Sequence, residues 1–248
     1  MSYLKYFFYF IFLLFNISPI NSAEVKMSFG EKIPPYTFPQ TNSGIELEVI
    51  GAALAYKGHI LRPRYYPLAR VPVAFKEKLV DAAMTDLGED LSKSGGHYAN
   101  PAVWYNNVFI SLEENDFVIN KPEDLKGLII TSFQGAIKRY PKWLEVAKAD
   151  YNYFEQNNQK LQVLVLHKKR VHLILSDINI YKYYTAKLKK NNQFVAKPVR
   201  FHQFIKLNLM DYRPAFRNKK IRDDFNEGLK HIKETGKYQE IYDKYIKN

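Results

Sequence analysis

The sequence predicts an α/β fold built from mainly parallel sheets flanked by helices. Short apolar runs typical of buried strands alternate with longer segments whose apolar residues recur at helical spacing. The clearest strands are DAAMTDL (81–87), LIITS (128–132) and VHLILSD (171–177). An acid, Asp86 or Asp177, stands at the end of two of them. Because ligands of such folds bind beyond the carboxyl ends of the strands, both acids are predicted to lie at a binding edge.

The first half of the chain is predicted to run strand, helix, strand, helix, strand. Apolar residues recur at helical spacing over 46–57, Gly58 stops this helix, and a strand is expected over 59–66. The segment 70–80 predicts a short helix that leads into the next strand. Its apolar side is formed by Val71, Phe75 and Leu79.

The pattern restarts in the second half. Pro122 predicts a first helical turn and Gly127 its end. A helix rich in Lys and aromatic residues is predicted near 136–149, with Pro141 either in its first turn or breaking it. Residues 158–166 alternate like a strand but follow an Asn that suits a helix start, so both alternatives stay open.

The carboxyl terminus predicts two packed helices separated by Gly236. The apolar face of the first is formed by Ile221, Phe225, Gly228, Leu229 and Ile232. The face of the second is formed by Tyr238, Ile241, Tyr242 and Tyr245.

The first 23 residues have the composition of a secretory signal peptide. Lys5 precedes a dense Phe/Tyr/Leu/Ile run, and the small residue Ala23 precedes the predicted cut. A membrane anchor is the alternative, but the uninterrupted apolar run from Tyr6 to Phe15 is about half the ~20 residues that a spanning helix needs. The chain has no cysteine for a disulfide framework or a lipid anchor. We therefore expect a periplasmic protein, with length enough for one large domain or two small lobes.

The charge is strongly basic, with a formal net charge of +12. Such a balance is compatible with nucleic acid or an anionic membrane surface. The basic residues, however, form short separate groups such as KLKK (187–190) and RNKKIR (217–222), and no nucleic-acid motif accompanies them. A solvated basic surface without a nucleic-acid partner is the expectation.

Seven segments occur in an order that carries a family resemblance. They are PPYTF (34–38), GIELEVIGAAL (44–54), PLARVPVAFKEKLVDAAMTDL (67–87), NPAVWY (100–105), PEDLKGLIITSFQGA (122–136), VHLILSDINIYKYY (171–184) and RNKKIRDDFNEGLKHIKETGKYQEIYDKY (217–245). Together they resemble the extracellular solute-binding proteins of family 3, the bilobal periplasmic receptors of amino-acid import systems.

The resemblance implies two α/β lobes joined by two crossing strands. Lobe 1 would comprise 24–111 and 203–248, lobe 2 would be 112–202, and the crossings would fall near 109–114 and 198–204. A small solute would bind between the lobes and be enclosed by hinge closure. The implied partner is an ABC permease or a membrane receptor, and we expect a monomer without metal or cofactor.

The resemblance also implies a set of ligand-binding residues. Tyr36 matches an aromatic that floors the pocket, Glu46 stands where the family usually has Asp, and Asp177 matches an acid that pairs with the ligand's ammonium group. Tyr36 and Trp104 fit a core role equally well, and Arg70 a structural one. The full set is Tyr36, Glu46, Arg70, Thr85, Asp86, Trp104, Gln134 and Asp177.

Departures from the family pattern suggest the ligand's charge. Glu89 and Ser92 stand about where the family has a Thr and, a few residues on, the Arg that grips a ligand carboxylate, and Ala136 replaces an expected hydroxyl. Three acids, Glu46, Asp86 and Asp177, lack a cation if they share one cleft, which predicts a cationic or amine-bearing solute. Three alternatives stay open. Glu89 and Asp90 suit a helix start, Asp86 suits a bridge to Arg70, and Arg70 is a candidate for the missing Arg.

Two other functions compete with transport. A sensory protein that presents its ligand to a membrane receptor would use the same lobes and hinge. An enzyme is disfavoured because no nucleophile, metal site or acid/base constellation stands out, and His167 with His172 has no third ligand. The sequence therefore predicts a binding protein with no catalytic residue.

Overall fold

Two five-stranded sheets, each flanked by helices, form the described part of the chain, which is residues 22–85, 87–190, 195–206 and 212–246 of a computed structural model. This arrangement confirms the predicted α/β fold class. The predicted signal peptide lies almost wholly outside these ranges, and the first strand begins at Glu24. Within these ranges, no helix combines the length and apolar composition needed to cross a bilayer.

The chain builds one lobe, then the other, and returns to the first. It starts with β1 (Glu24–Gly30), α1 (Ile45–Ala55), β2 (Ile60–Tyr66), α2 (Val71–Lys76), β3 (Ala82–Ala83) and β4 (His97–Tyr98). The second lobe contains β5 (Asn107–Leu112), β6 (Ile130–Phe133), α3 (Ala136–Arg139), α4 (Pro141–Ala149), β7 (Tyr153–Gln156), α5 (Gln159–His167), β8 (Leu173–Asp177), α6 (Ile178–Lys190) and β9 (Val199–His202). The returning elements are β10 (Ala215–Phe216), α7 (Lys219–Glu234) and α8 (Lys237–Ile246).

The sheets are mainly parallel. The strand orders are β2-β1-β3-β10-β4 in the first lobe and β7-β6-β8-β5-β9 in the second. One strand in each, β10 or β5, pairs antiparallel with both of its neighbours, so the other four share a direction. The carboxyl ends of the parallel strands of both sheets meet between the lobes.

The strands expected to cross between the lobes lie within the second sheet instead. β5 pairs with β8 and β9, so the chain changes sheets between Tyr98 and Asn107 and again after His202. Every residue of β5 is buried, as expected of a strand inside a sheet covered on both faces. The range 24–111, expected to belong to lobe 1, therefore includes most of β5, which is a strand of the second sheet.

Three local predictions change in detail. α2 ends at Lys76, a turn early, because Lys78 has a left-handed φ of 60°, and Leu79 is therefore 54% exposed instead of joining the apolar side. Pro141 breaks the predicted 136–149 helix into α3 and α4. The ambiguous segment 158–166 is helical, and its buried residues recur at helical spacing.

The two predicted carboxyl-terminal helices are α7 and α8, and α7 packs directly on α1. Gly228 is the close-contact position. A Cβ at this residue would lie 1.9 Å from the backbone oxygen of Ala53 in α1. The absence of a side chain at Gly228 therefore sets the spacing of these helices.

Candidate ligand-binding cleft

A small cavity lies between the lobes, at the carboxyl ends of the parallel strands. Its volume is about 30 Å³, enough for one or two water molecules. Its walls come from the first lobe, the second lobe and the segments that connect them. The lining residues are Gly30, Ile33, Glu46, Leu68, Met84, Thr85, Leu87, Tyr105, Asn107, Phe133, Gln159, Ile180 and Tyr212.

Glu46 is the one acid among these described lining residues. It lies in the first turn of α1 and is buried. Its Oε1 accepts a hydrogen bond from the Tyr105 hydroxyl, and its Oε2 accepts one from Thr37 Oγ1 at 3.1 Å. Burial raises the pKa of Glu46 to about 7, although both hydrogen bonds act to lower it. The lining residues include no Lys, Arg or His, so the cavity wall supplies no cation for this carboxyl.

Three tyrosines in ring contact connect the cavity to the lobe junction. The ring of Tyr105 lies 4.0 Å from that of Tyr36 and 4.5 Å from that of Tyr212, measured between centroids. The Arg139 guanidinium lies 4.0 Å from the Tyr212 centroid on the second-lobe side. Tyr105 and Tyr212 line the cavity, whereas Tyr36 lies outside the lining set.

Tyr36 and Trp104 connect the lobes outside the cavity lining. The Tyr36 hydroxyl donates to the Trp104 carbonyl at 2.9 Å and accepts from Asn179 Nδ2 of the second lobe at 3.1 Å. The Trp104 backbone N–H donates to the Tyr242 hydroxyl at 3.1 Å. The Tyr36 hydroxyl thus links the lobes and the Trp104 backbone is fixed to first-lobe tyrosines, while a role of either ring in binding ligand stays a prediction.

The predicted strand-end residues have different positions. Thr85 lines the cavity, and its Oγ1 accepts a hydrogen bond from the Leu87 N–H at 3.1 Å. Asp86 lies outside the described residues. Gln134 lines a smaller adjoining cavity of about 10 Å³, and its Nε2 donates to Glu155 Oε2 at 3.1 Å.

Asp177 is buried, and its carboxylate caps α6 instead of lining the cavity. Oδ1 accepts from the backbone N–H groups of Asn179 and Ile180 at 2.9 and 3.0 Å, and Oδ2 accepts from that of Asn106 at 2.7 Å. Burial raises the pKa of Asp177 to about 6 against these three hydrogen bonds. Its position supports the lobe junction, and a ligand contact stays a prediction.

Arg70 lies on the surface, away from the cavity lining. Its side chain is 54% exposed, and Nη2 lies 3.4 Å from Glu77 Oε2. In this arrangement it does not occupy the place of the missing carboxylate-binding Arg. Ser92, which stands about where the family has that Arg, donates its hydroxyl to Asp90, whose carboxylate caps a short 3₁₀ turn.

Glu89 forms an ion pair between the lobes. Its Oε2 lies 2.7 Å from Lys76 Nζ of the first lobe, and its Oε1 lies 3.2 Å from Lys138 Nζ in α3 of the second. Lys76 and Lys138 together hold the pKa of Glu89 below its usual range. Glu89 therefore favours the closed arrangement of the lobes.

We expect Lys138→Gln to shift the ligand-free protein toward an open form. The pair is partly solvated, so its loss should lower the closed-to-open ratio only about two- to fivefold. The radius of gyration from small-angle X-ray scattering would rise. Lys76→Gln is the matched control, because it removes the partner within the same lobe and should leave the radius unchanged. A similar radius for both variants and the unmodified protein would contradict the role of Glu89.

The comparison with known families identifies the chain. The model for "Bacterial extracellular solute-binding proteins, family 3" matches residues 25–248. The chain belongs to this family. It is therefore a solute-binding protein, and the predicted resemblance is confirmed.

Individual relatives of this solute-binding protein are distant. An arginine-binding periplasmic protein of Mannheimia haemolytica is 25% identical over 238 residues, covering 94% of this chain and 96% of that protein. An ancestral arginine-binding protein bound to arginine has a similar structure, with 20% identity, a TM-score of 0.69, and coverage of 90% of this chain and 97% of that one. A histidine kinase sensor domain similar to periplasmic binding proteins gives 17% identity, a TM-score of 0.71, and coverage of 90% and 96%. At such identities the two solved structures show a common fold.

Proposed function

We propose that this solute-binding protein captures a small solute bearing a positively charged amine or guanidinium group in the periplasm and delivers it to an ABC-type importer. The observation that carries the proposal is Glu46, a buried carboxyl at the interlobe cavity whose described lining residues include no basic side chain. A buried carboxylate needs a cation or a proton. A positively charged group of the solute, placed beside Glu46, would supply this cation.

The named relatives support the same ligand class. Two of those compared above are described as arginine-binding, and arginine carries the required guanidinium. No Arg belongs to the described cavity lining, so the usual fork for an α-carboxylate is missing from that wall. We therefore extend the proposed class to amines that lack a carboxylate.

Binding would require the lobes to open. The cavity of about 30 Å³ has room for only one or two water molecules, and Glu89 bridges the lobes, so we take the described arrangement as a closed one. We propose that the solute enters an open form and stabilises closure by contacts with both lobes. We propose a binding role instead of catalysis, because the family to which the chain belongs consists of solute-binding proteins.

A thermal-shift screen tests this function. We expect arginine, lysine, ornithine, putrescine or spermidine to raise the melting temperature, while glutamate and aspartate do not. A solute at a hundred times its Kd should stabilise the folded state by about 2.7 kcal/mol. A hit should also reduce the radius of gyration. Stabilisation by acidic amino acids alone would contradict the proposed ligand class.

A further inference from the structure

A second concave site lies on the surface, between α6 of the second lobe and α8 of the first. Its volume is about 710 Å³, within the range of small-molecule sites. The lining residues are Pro35, Asn179, Lys182, Tyr183, Ala186, Lys187, Lys190, Tyr245 and Ile246. This basic groove shares none of its lining with the cavity at Glu46.

One wall of the basic groove is a stripe of lysines. Lys182, Lys187 and Lys190 recur on one side of α6, and all three are exposed. None of the three forms an ion pair with any residue in the described ranges. Lys187 Nζ lies 5.8 Å from the centroid of the Tyr183 ring, a contact that leaves its hydrogen-bond donors available. The wall therefore presents three cations to whatever enters the groove.

The opposite wall adds apolar surface, and its described residues include no acidic side chain. Ile246 is 42% exposed, and it lines the groove beside Tyr245. Glu48, which accepts a hydrogen bond from the Tyr245 hydroxyl, is already paired with Lys244 Nζ at 2.6 Å. No acidic side chain belongs to the described lining, so the positive charge of the groove is not neutralised from within.

The side-chain chemistry favours phosphate. Lysines act as compact point charges that suit phosphate oxygens, whereas a planar carboxylate is best held by an Arg fork, and the described lining contains no Arg. Half-buried Tyr183, together with exposed Ala186 and Ile246, adds the mixed aromatic and aliphatic surface typical of a lipid interface.

We propose that the basic groove binds the phosphate headgroups of an anionic lipid bilayer. The strongly basic charge balance would draw the whole protein toward such a surface, and the groove would fix the contact to one face. The protein would thereby be held at the membrane without a covalent lipid.

Vesicle sedimentation tests the proposal. The protein should pellet with vesicles of phosphatidylglycerol and phosphatidylcholine at about 0.1 M salt, and not with phosphatidylcholine alone. Each surface lysine contributes about fivefold to such binding. Changing Lys182, Lys187 and Lys190 together to Gln should therefore reduce the partition coefficient at least about tenfold.

A charge-matched control separates the groove from net charge. Changing Lys126, Lys142 and Lys148 to Gln also removes three exposed lysines that have no ion pair within the described residues. These three lie in or beside α4, away from the basic groove. This control should lose less than about threefold. Equal losses in the two triple variants would overturn the proposal. Stabilisation of the unmodified protein by glycerol 3-phosphate without any vesicle binding would overturn it too, because the ligand would then be a soluble phosphate ester. Unchanged melting temperatures verify that both variants fold.

Discussion

Replacing Glu46 with Gln is expected to weaken binding of a cationic solute about a hundredfold at pH 8. The substitution keeps the shape and leaves an acceptor for Tyr105, but it removes the charge that the solute would neutralise. Loss of one partner from a buried charge pair costs about 3 kcal/mol or more, which corresponds to roughly a hundredfold in Kd. Titration calorimetry with arginine or putrescine, whichever the thermal-shift screen favours, measures the change.

The pH dependence of binding follows from the same carboxyl. Because the pKa of Glu46 is about 7, the group is mostly protonated at pH 5 and ionised at pH 8. The affinity for a cation should therefore rise with pH up to about 8, and fall about tenfold per unit well below pH 7. Glu46→Gln should give a flat profile. Glu48→Gln, two residues along α1 and paired with Lys244, is the matched control and should keep the slope.

Stability of the ligand-free protein provides an independent check. The folded pKa of about 7 lies above the usual value of 4.5, so the folded state binds the proton more tightly. The stabilisation from this proton is complete below pH 4.5 and is lost as the pH rises through 7, up to about 3 kcal/mol in all. Glu46→Gln should therefore be more stable than the unmodified protein at pH 8 but not at pH 4. A pH-independent difference in urea unfolding would contradict the raised pKa.

Gly228→Ala is expected to destabilise the fold by about 3 kcal/mol, at the upper end for overpacking. The new Cβ would lie 1.9 Å from the Ala53 carbonyl oxygen, and a backbone atom of α1 cannot rotate away. The melting temperature should fall by roughly 6–12 °C for a chain of this size.

Gly51→Ala is the control for this helix packing. Gly51 lies on α1, the same helix as Ala53. A Cβ at Gly51 would contact only Leu61 Cδ2, at an ordinary 3.8 Å. Since Ala is the better helix former, this change should be neutral or add about 0.5–1 kcal/mol. Comparable losses in both variants would show that the α1–α7 contact does not depend on Gly228.

The sequence predicted the fold class well because its signals are local. Apolar periodicity defines each helix or strand without knowledge of its neighbours, and α1 and β8 lie close to their predicted ranges. The prediction that Leu79 joins the apolar side of α2 was wrong because Lys78 has a left-handed backbone conformation and the helix ends before it. A single helical period gives no information on such a turn.

The site was harder to predict because it depends on direction and on distant contacts. Asp177 ends a strand as expected, yet a strand-end acid can equally cap the next helix, as it does here. Tyr105 stands beside the predicted Trp104, and only the path of the connecting segment decides which ring faces the cavity. Tyr212 lines the cavity and Lys138 pairs with Glu89 only because the folded chain brings segments together that are distant in the sequence. Asp86 stays a prediction.

The position of Trp104 has a spectroscopic consequence. The chain has two tryptophans. Trp143 packs against Phe109 and Phe204 in the core of the second lobe. Trp104 instead lies in the connecting segment, bonded through its backbone to Tyr242 and Tyr36. With Trp143 replaced by Phe, the protein would carry a single tryptophan at the junction of its lobes, and its emission, excited beyond the absorption of tyrosine, would follow opening and closing without any attached label.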